Sequence, residues 1–398
     1  MKTLTFYSNY FNHHQKALCD AFYELLGEGF TFVETMPMEE FRSGMGWGID
    51  IPSYVLRTYE SSDNEKRARE LAISSDLVIM GTAPEYYIEK RIERDLIIFR
   101  YSERPLKEGF IKFLIPRLTK KYMHLHVRNR KKNMHVLAAS AYTAADFKKM
   151  LGSYPGKCYK FAYFPSHPPY DFDELIRRKD EKAKQAGATT ILWEGRMIRL
   201  KRADLLIKAT AILASKGYDM RVKLIGDGDE KKSLMELTGK LNLQNIVSFE
   251  GFLPPDEARE RMADAQIYVC TSNFLEGWGS VVYEALGVGC AVVASHACGA
   301  TPWLVRPGKT GFVYRSGDAA SLADKLERLL KNEKLRRALG KNAYDQMHEK
   351  WNPKVAAKRV IELAENLEAG RPTPFDDGPC SKAELLKNNW YHDAKKRG

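Results

Sequence analysis

No run of this 398-residue sequence is apolar for long enough to cross a bilayer as a helix. Its first residues, Met-Lys-Thr-Leu-Thr-Phe-Tyr-Ser-Asn, also lack the apolar core and small-residue cleavage site of a secretory leader. A cytoplasmic protein is expected, peripheral on the inner face of the plasma membrane if it meets a membrane at all. Cysteine is sparse: Cys19, Cys158, Cys270, Cys290, Cys298 and Cys380 stand without paired metal-ligand spacing, which argues against a zinc site or a disulfide framework and for reduced thiols. No metal site is expected. Low-complexity tracts and tandem repeats are missing too, so the chain is neither an extended linker nor a solenoid. Acids are the scarcer charge, 51 Asp and Glu against 63 Lys and Arg, giving a formal net charge of +12. That excess calls for an anionic partner, and nucleic acid, acidic lipid and phosphorylated small molecules all qualify. No recognised nucleic-acid module accompanies the charge, so nucleic acid is set aside.

What is present is enough apolar residue, 44% of the chain, for two cores, and a length that favours two domains over one. The positive charge is concentrated. From Arg104 to Lys132 ten Lys and Arg face a single acid, Glu108, interleaved with Phe110, Ile111, Phe113, Leu114, Ile115, Leu118, Tyr122, Met123 and Leu125. The stretch reads either as an interfacial element for an anionic membrane surface or as a solvated amphipathic helix on its own domain.

Short apolar runs alternate with amphipathic patterns, as in a parallel sheet with crossover helices. In the first half, strands are predicted at residues 4–8, 30–34, 76–80, 96–101 and 136–140, with helices at 16–26 and 144–151. A Pro-rich and then charged passage has the composition of a linker, placed at 171–187. The alternation restarts with strands at 191–193, 221–225, 246–250, 267–270 and 291–294, and helices at 203–216, 230–241, 255–265, 321–330 and 334–349. The expected organisation is an α/β chain of two Rossmann-like domains, residues 1–170 and 188–372, followed by a tail at 373–398.

The stretch Glu276-Gly-Trp-Gly-Ser-Val-Val-Tyr-Glu284 sets two carboxylates eight apart, across a loop broken by Gly277 and Gly279 and the start of a short helix for which Ser280 is the predicted N-cap. Amide hydrogens at a helix start suit a phosphate, and a carboxylate nearby can accept both hydroxyls of a ribose. The local chemistry therefore reads as a nucleoside diphosphate with an attached sugar.

The second half resembles the retaining glycosyltransferase family four (group one) of the GT-B fold, collinear over most of residues 189–367. Gly195-Arg196-Met-Ile-Arg-Leu-Lys201 resembles the family's Gly-Arg-Leu motif with its downstream lysine. Leu224-Ile-Gly226-Asp227-Gly228 resembles its Gly-x-Gly turn, and Phe249-Glu250-Gly251-Phe252 its Phe-x-Gly strand end. The Glu276 to Glu284 spacing fits the Glu-x7-Glu signature, and Ala291-Val-Val-Ala-Ser295 and Gly308-Lys-Thr-Gly311-Phe-Val follow in order. Arg202 stands where the family usually has glycine, which leaves the path of that loop open.

The resemblance implies two Rossmann-like domains facing each other across a cleft, with the tail at 373–398 returning to the first domain. It implies a donor-diphosphate site at Arg196, Lys201, Gly277 and Gly279, a ribose site at Glu284, and Glu276 as a catalytic candidate facing the transferred sugar or the reaction centre. Arginine and lysine can neutralise a departing diphosphate without a metal. Trp278, where phenylalanine is commoner, is read as a core anchor ahead of a ligand contact. Gly226 and Phe252 are further candidate cleft residues.

The first half matches the family poorly, as the variable acceptor side would. Asn12, His13 and His14 follow the first strand; Asn12 and His13 are candidate cleft residues, and His14 and Glu103 candidate catalytic residues, a histidine there contacting phosphate or acceptor hydroxyl. The alternatives are a cap or surface residue for each histidine and a solvated loop residue for Glu103. The expected function is transfer of a hexose-type sugar from a nucleoside-diphosphate sugar, a UDP-sugar being favoured, to a hydroxyl acceptor such as a lipid-linked saccharide in bacterial cell-surface polysaccharide or glycolipid assembly. No cofactor is expected. The alternatives are a non-catalytic scaffold subunit, an epimerase of sugar nucleotides, or a phosphorylase.

Overall fold

The computed structural model of the chain describes residues 1–39, 50–167 and 170–391. The chain divides into two compact units, Met1–Ser166 with Lys350–Lys387, and His167–Glu349 with the C-terminal residues from Asn388. Each is built on a parallel sheet.

In the first unit β1 (Leu4–Ser8), β2 (Phe30–Glu34), β3 (Val55–Arg57), β4 (Leu77–Met80), β5 (Ile98–Ser102), β6 (Met134–Ala138) and β7 (Cys158–Lys160) form a seven-stranded sheet of order β3-β2-β1-β4-β5-β6-β7. The inner strands are continuous buried runs, such as Leu77-Val-Ile-Met80, because crossover helices cover both faces. In the second unit β8 (Thr189–Glu194), β9 (Met220–Ile225), β10 (Val247–Gly251), β11 (Ile267–Cys270), β12 (Ala291–Ser295) and β13 (Gly311–Tyr314) take the order β10-β9-β8-β11-β12-β13. Its core joins Ile191, Trp193, Val222, Leu224, Val269 and Val293 of the sheet to Leu206, Leu213, Leu322 and Leu326 of the covering helices. Strand order reverses between β1 and β4 and again between β8 and β11, and a doubly wound sheet opens its binding crevice at the carboxyl ends of such strands.

Most predicted elements lie within two or three residues of those observed. Among those not predicted are β3, the helix Ser62–Ser74, β7, β13 and the helix Pro353–Glu368. β3 and β7 are only three residues long and lie at the sheet edges, too short for periodicity to register. The predicted Ser280 cap is corrected: the helix Ser280–Gly287 has Gly279 at its N-cap, in the left-handed region at φ 86°, and Ser280 is its first residue.

The passage read as a linker is a helix, Phe172–Ala186, with the Asp171 carboxylate accepting from the amide of Glu174 and Gly187 closing it at φ 65°. Two of its charges, Arg178 and Lys179, face protein rather than water. The buried Lys179 ammonium donates to the carbonyls of Met262, Ala263 and Ala265 at 3.3, 3.0 and 2.7 Å, filling acceptors left open at the end of the helix Pro255–Asp264. Arg178 pairs with Asp264 at 2.6 Å and with Glu260 at 2.7 Å. Composition counts charge but does not say what charge faces.

The second domain also ends earlier than the predicted 372. The chain rejoins the first unit at Lys350, where the helix Pro353–Glu368 packs on the helix His13–Leu26, with a Lys354 to Glu24 ion pair at 2.9 Å. The tail then extends the sheet edge beside β7. The amide of Cys380 donates to the carbonyl of Lys160, and the amide of Lys160 to that of Ser381, both at 2.8 Å. An edge strand is thereby covered. The last seven residues, 392–398, lie outside the described residues.

Replacing Lys179 by alanine should lower unfolding stability by about 2–4 kcal/mol, because buried carbonyls lose a charged donor. Denaturant titration measures it; a change below about 0.5 kcal/mol would mean that the helix does not depend on its buried ammonium.

Candidate active site

Two loops, after β8 and after β9, lie backbone to backbone. The Met197 amide donates to the carbonyl of Asp227 at 2.7 Å, and the Glu230 amide to the carbonyl of Met197 at 2.8 Å. A Cβ on Gly226 would sit 2.0 Å from the carbonyl oxygen of Gly195, and one on Gly228 2.6 Å from that of Met197. The Gly-x-Gly turn thus makes room for the neighbouring loop, which is where the structure puts the candidate Gly226.

The loop after β8 carries Arg196 and Lys201. Arg196 is exposed, and no side-chain hydrogen bond or ion pair holds it among the described residues. Lys201 is drawn inward: Thr271, beyond β11, donates its hydroxyl to the Lys201 carbonyl at 2.5 Å while accepting from the Trp193 indole at 2.7 Å. The Lys201 ammonium meets the Glu276 carboxylate at 2.5 Å, and the Ser272 hydroxyl donates to the same oxygen at 2.9 Å. Burial alone would depress the Lys201 pKa; the Glu276 charge and hydrogen bond outweigh it and raise it. Arg202, in the position of the usual glycine, takes the left-handed conformation itself at φ 52°, a cost of about 1–2 kcal/mol, and forks onto Asp204 at 2.9 and 3.1 Å. The backbone at this position is therefore in a conformation that glycine adopts readily.

Beyond Glu276 the chain turns through buried Gly277, Trp278 and Gly279. A Cβ on Gly279 would meet the Cys298 sulfur at 2.5 Å, so the turn needs glycine for space as well as for its positive φ. Trp278 is a core anchor, its ring 6.1 Å from that of Trp303. Glu284 is buried on the following helix, with the Arg259 guanidinium donating to it at 3.4 Å. Burial raises the Glu284 pKa against the opposing pull of Arg259. Phe252, just beyond β10, is half exposed.

Sequence reasoning missed Glu194 and Arg259. Burial, with the Glu284 charge, pushes the Glu194 carboxyl up to about 8 against the pull of Arg259 and Lys201. A signal existed: Glu194 is an acid closing an apolar strand immediately before Gly195-Arg196. It also missed His167, which stacks on the ring of Tyr283 at 4.7 Å and occupies the space where a Cβ on Gly287 would fall.

In the first unit Asn12 proves to be a helix cap, its side chain accepting from the His14 amide at 2.9 Å. His13 and His14 open that helix with ring centroids 4.0 Å apart. His14 and Glu103 both meet Tyr163, a residue the sequence did not single out: the hydroxyl donates to Glu103 at 3.1 Å, and the His14 ring lies 6.1 Å from the tyrosine ring. Lys107 stands 3.7 Å from Glu103. Among the described residues no group of three or more His, Cys, Asp and Glu is arranged to hold a metal ion, and no helix is long and apolar enough to cross a membrane.

The profile of the family Glycosyl transferases group 1 matches residues 176–346. An N-acetyl-alpha-D-glucosaminyl L-malate synthase of Bacillus anthracis is 28% identical over 169 residues, 42% of this chain and 42% of that protein. A D-inositol 3-phosphate glycosyltransferase of Corynebacterium aurimucosum is 32% identical over 161 residues, 39% of this chain and 38% of that protein. The match thus spans about two fifths of the length of these relatives. Of solved structures, Anabaena Alr3699/HepE in complex with UDP superposes with a TM-score of 0.66 at 18% identity, covering 93% of this chain and all of that one, a likeness of fold.

The raised Glu194 pKa gives a stability test. The folded chain holds this proton up to about pH 8, whereas an unfolded glutamate releases it near pH 4.3. Stability from this group is therefore full below about pH 4.3 and falls as pH rises toward 8. Glu194→Gln should flatten the decline by up to about 1.4 kcal/mol per pH unit; parallel stability profiles for the two proteins would show that Glu194 is ionised in the fold.

Proposed function

We propose, from the match of residues 176–346 to the glycosyl transferases group 1 family and from the GT-B fold, that this protein transfers a sugar from a nucleoside-diphosphate sugar to a hydroxyl acceptor, with retention of anomeric configuration. The observation that carries the reading is the Lys201–Glu276 contact beyond the carboxyl ends of β8 and β11, with Arg196 on the same loop and Glu284 on the next helix.

The roles follow from charge. Arg196 reaches a diphosphate with the two-pronged donor geometry of a guanidinium, and Lys201 adds a point charge, so the negative charge developing on the leaving group is neutralised by the protein and needs no metal. Donor binding draws the Lys201 ammonium toward phosphate and releases Glu276 toward the sugar. Glu284 accepts the ribose hydroxyls, and the close-packed turn at Gly277 and Gly279 brings amide groups toward the diphosphate. UDP in the Anabaena relative favours a UDP-sugar here. In the first unit Glu103, oriented by Tyr163 beside His14, is the candidate to position or deprotonate the acceptor hydroxyl. The acceptor is a saccharide, lipid-linked and reached at an anionic cytoplasmic membrane face, in bacterial polysaccharide or glycolipid assembly.

Three substitutions separate these roles when donor affinity and turnover are measured together. Arg196→Ala should weaken donor binding by about 1.5–3 kcal/mol, as for a lost charge-assisted contact. Glu284→Ala should raise the donor dissociation constant, while Glu276→Ala should depress kcat more than affinity. Chelator should leave affinity and turnover unchanged. If both glutamate variants keep turnover within about twofold of the parent protein, the transferase reading is wrong; a chelator-sensitive reaction would overturn its metal-free form.

A further inference from the structure

The basic stretch of the first unit contains more than charge. After β5 the chain makes a short turn, Ile111–Leu114, then the helix Pro116–Tyr122, which runs on into a wider turn, Met123–Val127. One side of this element is anchored by aromatic contacts: Phe113 meets Tyr122 at 5.0 Å, Tyr122 meets His126 at 5.4 Å, and His126 meets Phe147 at 5.6 Å. With Phe113 turned inward, its neighbours face out. Phe110 is 53% exposed, Ile111 73%, Leu114 82% and Ile115 50%. Four large apolar side chains exposed within six residues form a patch that water disfavours and that single scattered apolar residues do not explain.

Cations follow it along the chain. Arg117, Lys120 and Lys121 are exposed on the helix that follows, and Arg128, Arg130 and Lys131 beyond it, with Glu108 the lone acid of the stretch. Arg104, first of the ten basic residues, does not belong to this surface: it is buried and forks onto Asp146 at 3.1 and 3.2 Å. These six exposed charges complement an anionic surface, and the apolar tip complements what lies beneath a headgroup layer.

We propose that Phe110, Ile111, Leu114 and Ile115 form a wedge that inserts into the headgroup and acyl boundary of an anionic bilayer, with Arg117, Lys120 and Lys121 seated on its phosphates. The proposal rests on the reading that the acceptor is lipid-linked, for which it supplies the means of reaching a membrane-borne substrate. Insertion adds an apolar contribution that persists in salt to an electrostatic one that salt screens.

The test is flotation of the whole protein with phosphatidylglycerol/phosphatidylcholine vesicles and with phosphatidylcholine vesicles, at low and high salt, without donor. Binding to the anionic vesicles is expected, reduced but not abolished at high salt. The double variant Ile111→Ser with Leu114→Ser should bind at least about tenfold more weakly, and Lys120→Glu with Lys121→Glu should lose the salt-sensitive part. Turnover with a soluble acceptor should be unchanged in both variants, which also shows that they fold. Parental vesicle binding by the serine variant would overturn the proposal. So would a dimer in sedimentation equilibrium that dissociates in that variant, since the patch would then be covered by a second copy of the chain. Vesicle binding with no sugar transfer to any acceptor would leave the wedge standing and remove the transferase reading instead.

Discussion

The arrangement of the second unit turns on one contact, the Lys201 ammonium against the Glu276 carboxylate at 2.5 Å, largely out of water. A pair so placed gives up hydration on both sides, and geometry and further hydrogen bonds must compensate. The surroundings supply them. Thr271 fixes the lysine backbone, Ser272 donates to the shared carboxylate oxygen, and glycine at 279 lets the turn after Glu276 close against Cys298. β8 and β11 bring these groups together because they are neighbours in the sheet, at the place where strand order reverses.

The same end of the sheet is crowded with acid. Glu194 and Glu284 are both desolvated, each pushed toward its protonated form, with Arg259 and Lys201 as the opposing charges. Groups balanced this way respond to a small change in local charge, which suits a site proposed to receive a diphosphate and then release it with one more negative charge. The cations do not act alike. Lys201 is held by a carboxylate, whereas Arg196 reaches solvent from the same loop, so one is fixed inside the fold and the other is not.

Elsewhere charge is used as internal scaffolding. Lys179 completes the end of the helix Pro255–Asp264, and in the first unit buried Arg91 does the same for the helix Ser62–Ser74, donating to the carbonyls of Ala72 and Ser75 at 3.1 and 2.7 Å and to those of Ile97 and Asp76. A fixed cation at a helix carboxyl end satisfies both open carbonyls and the helix dipole. The net charge of the chain therefore overstates the charge available to an anionic partner, and Arg104, bound to Asp146, shows this within the basic stretch itself.

The sequence by itself determined the alternation of elements, two parallel sheets, and the residues that gather beyond β8 and β11, because strand and helix periods, glycines at tight turns and an eight-residue carboxylate spacing are all local properties. It also placed Trp278 in the core. Tertiary structure alone decided that the charged passage 172–186 is a packed helix, that the chain leaves the second unit at 349, ahead of the tail whose return to the first unit was expected, and that His14 and Glu103 converge on Tyr163. Glu194 and Arg259 were legible only as an acid at a strand end and a base on a helix, until the fold set them around Glu284. The division has one physical cause. Backbone conformation answers to near neighbours along the chain, whereas the partner of a charge, and hence its hydration and protonation, is set by residues far apart in sequence that only the assembled sheet brings together.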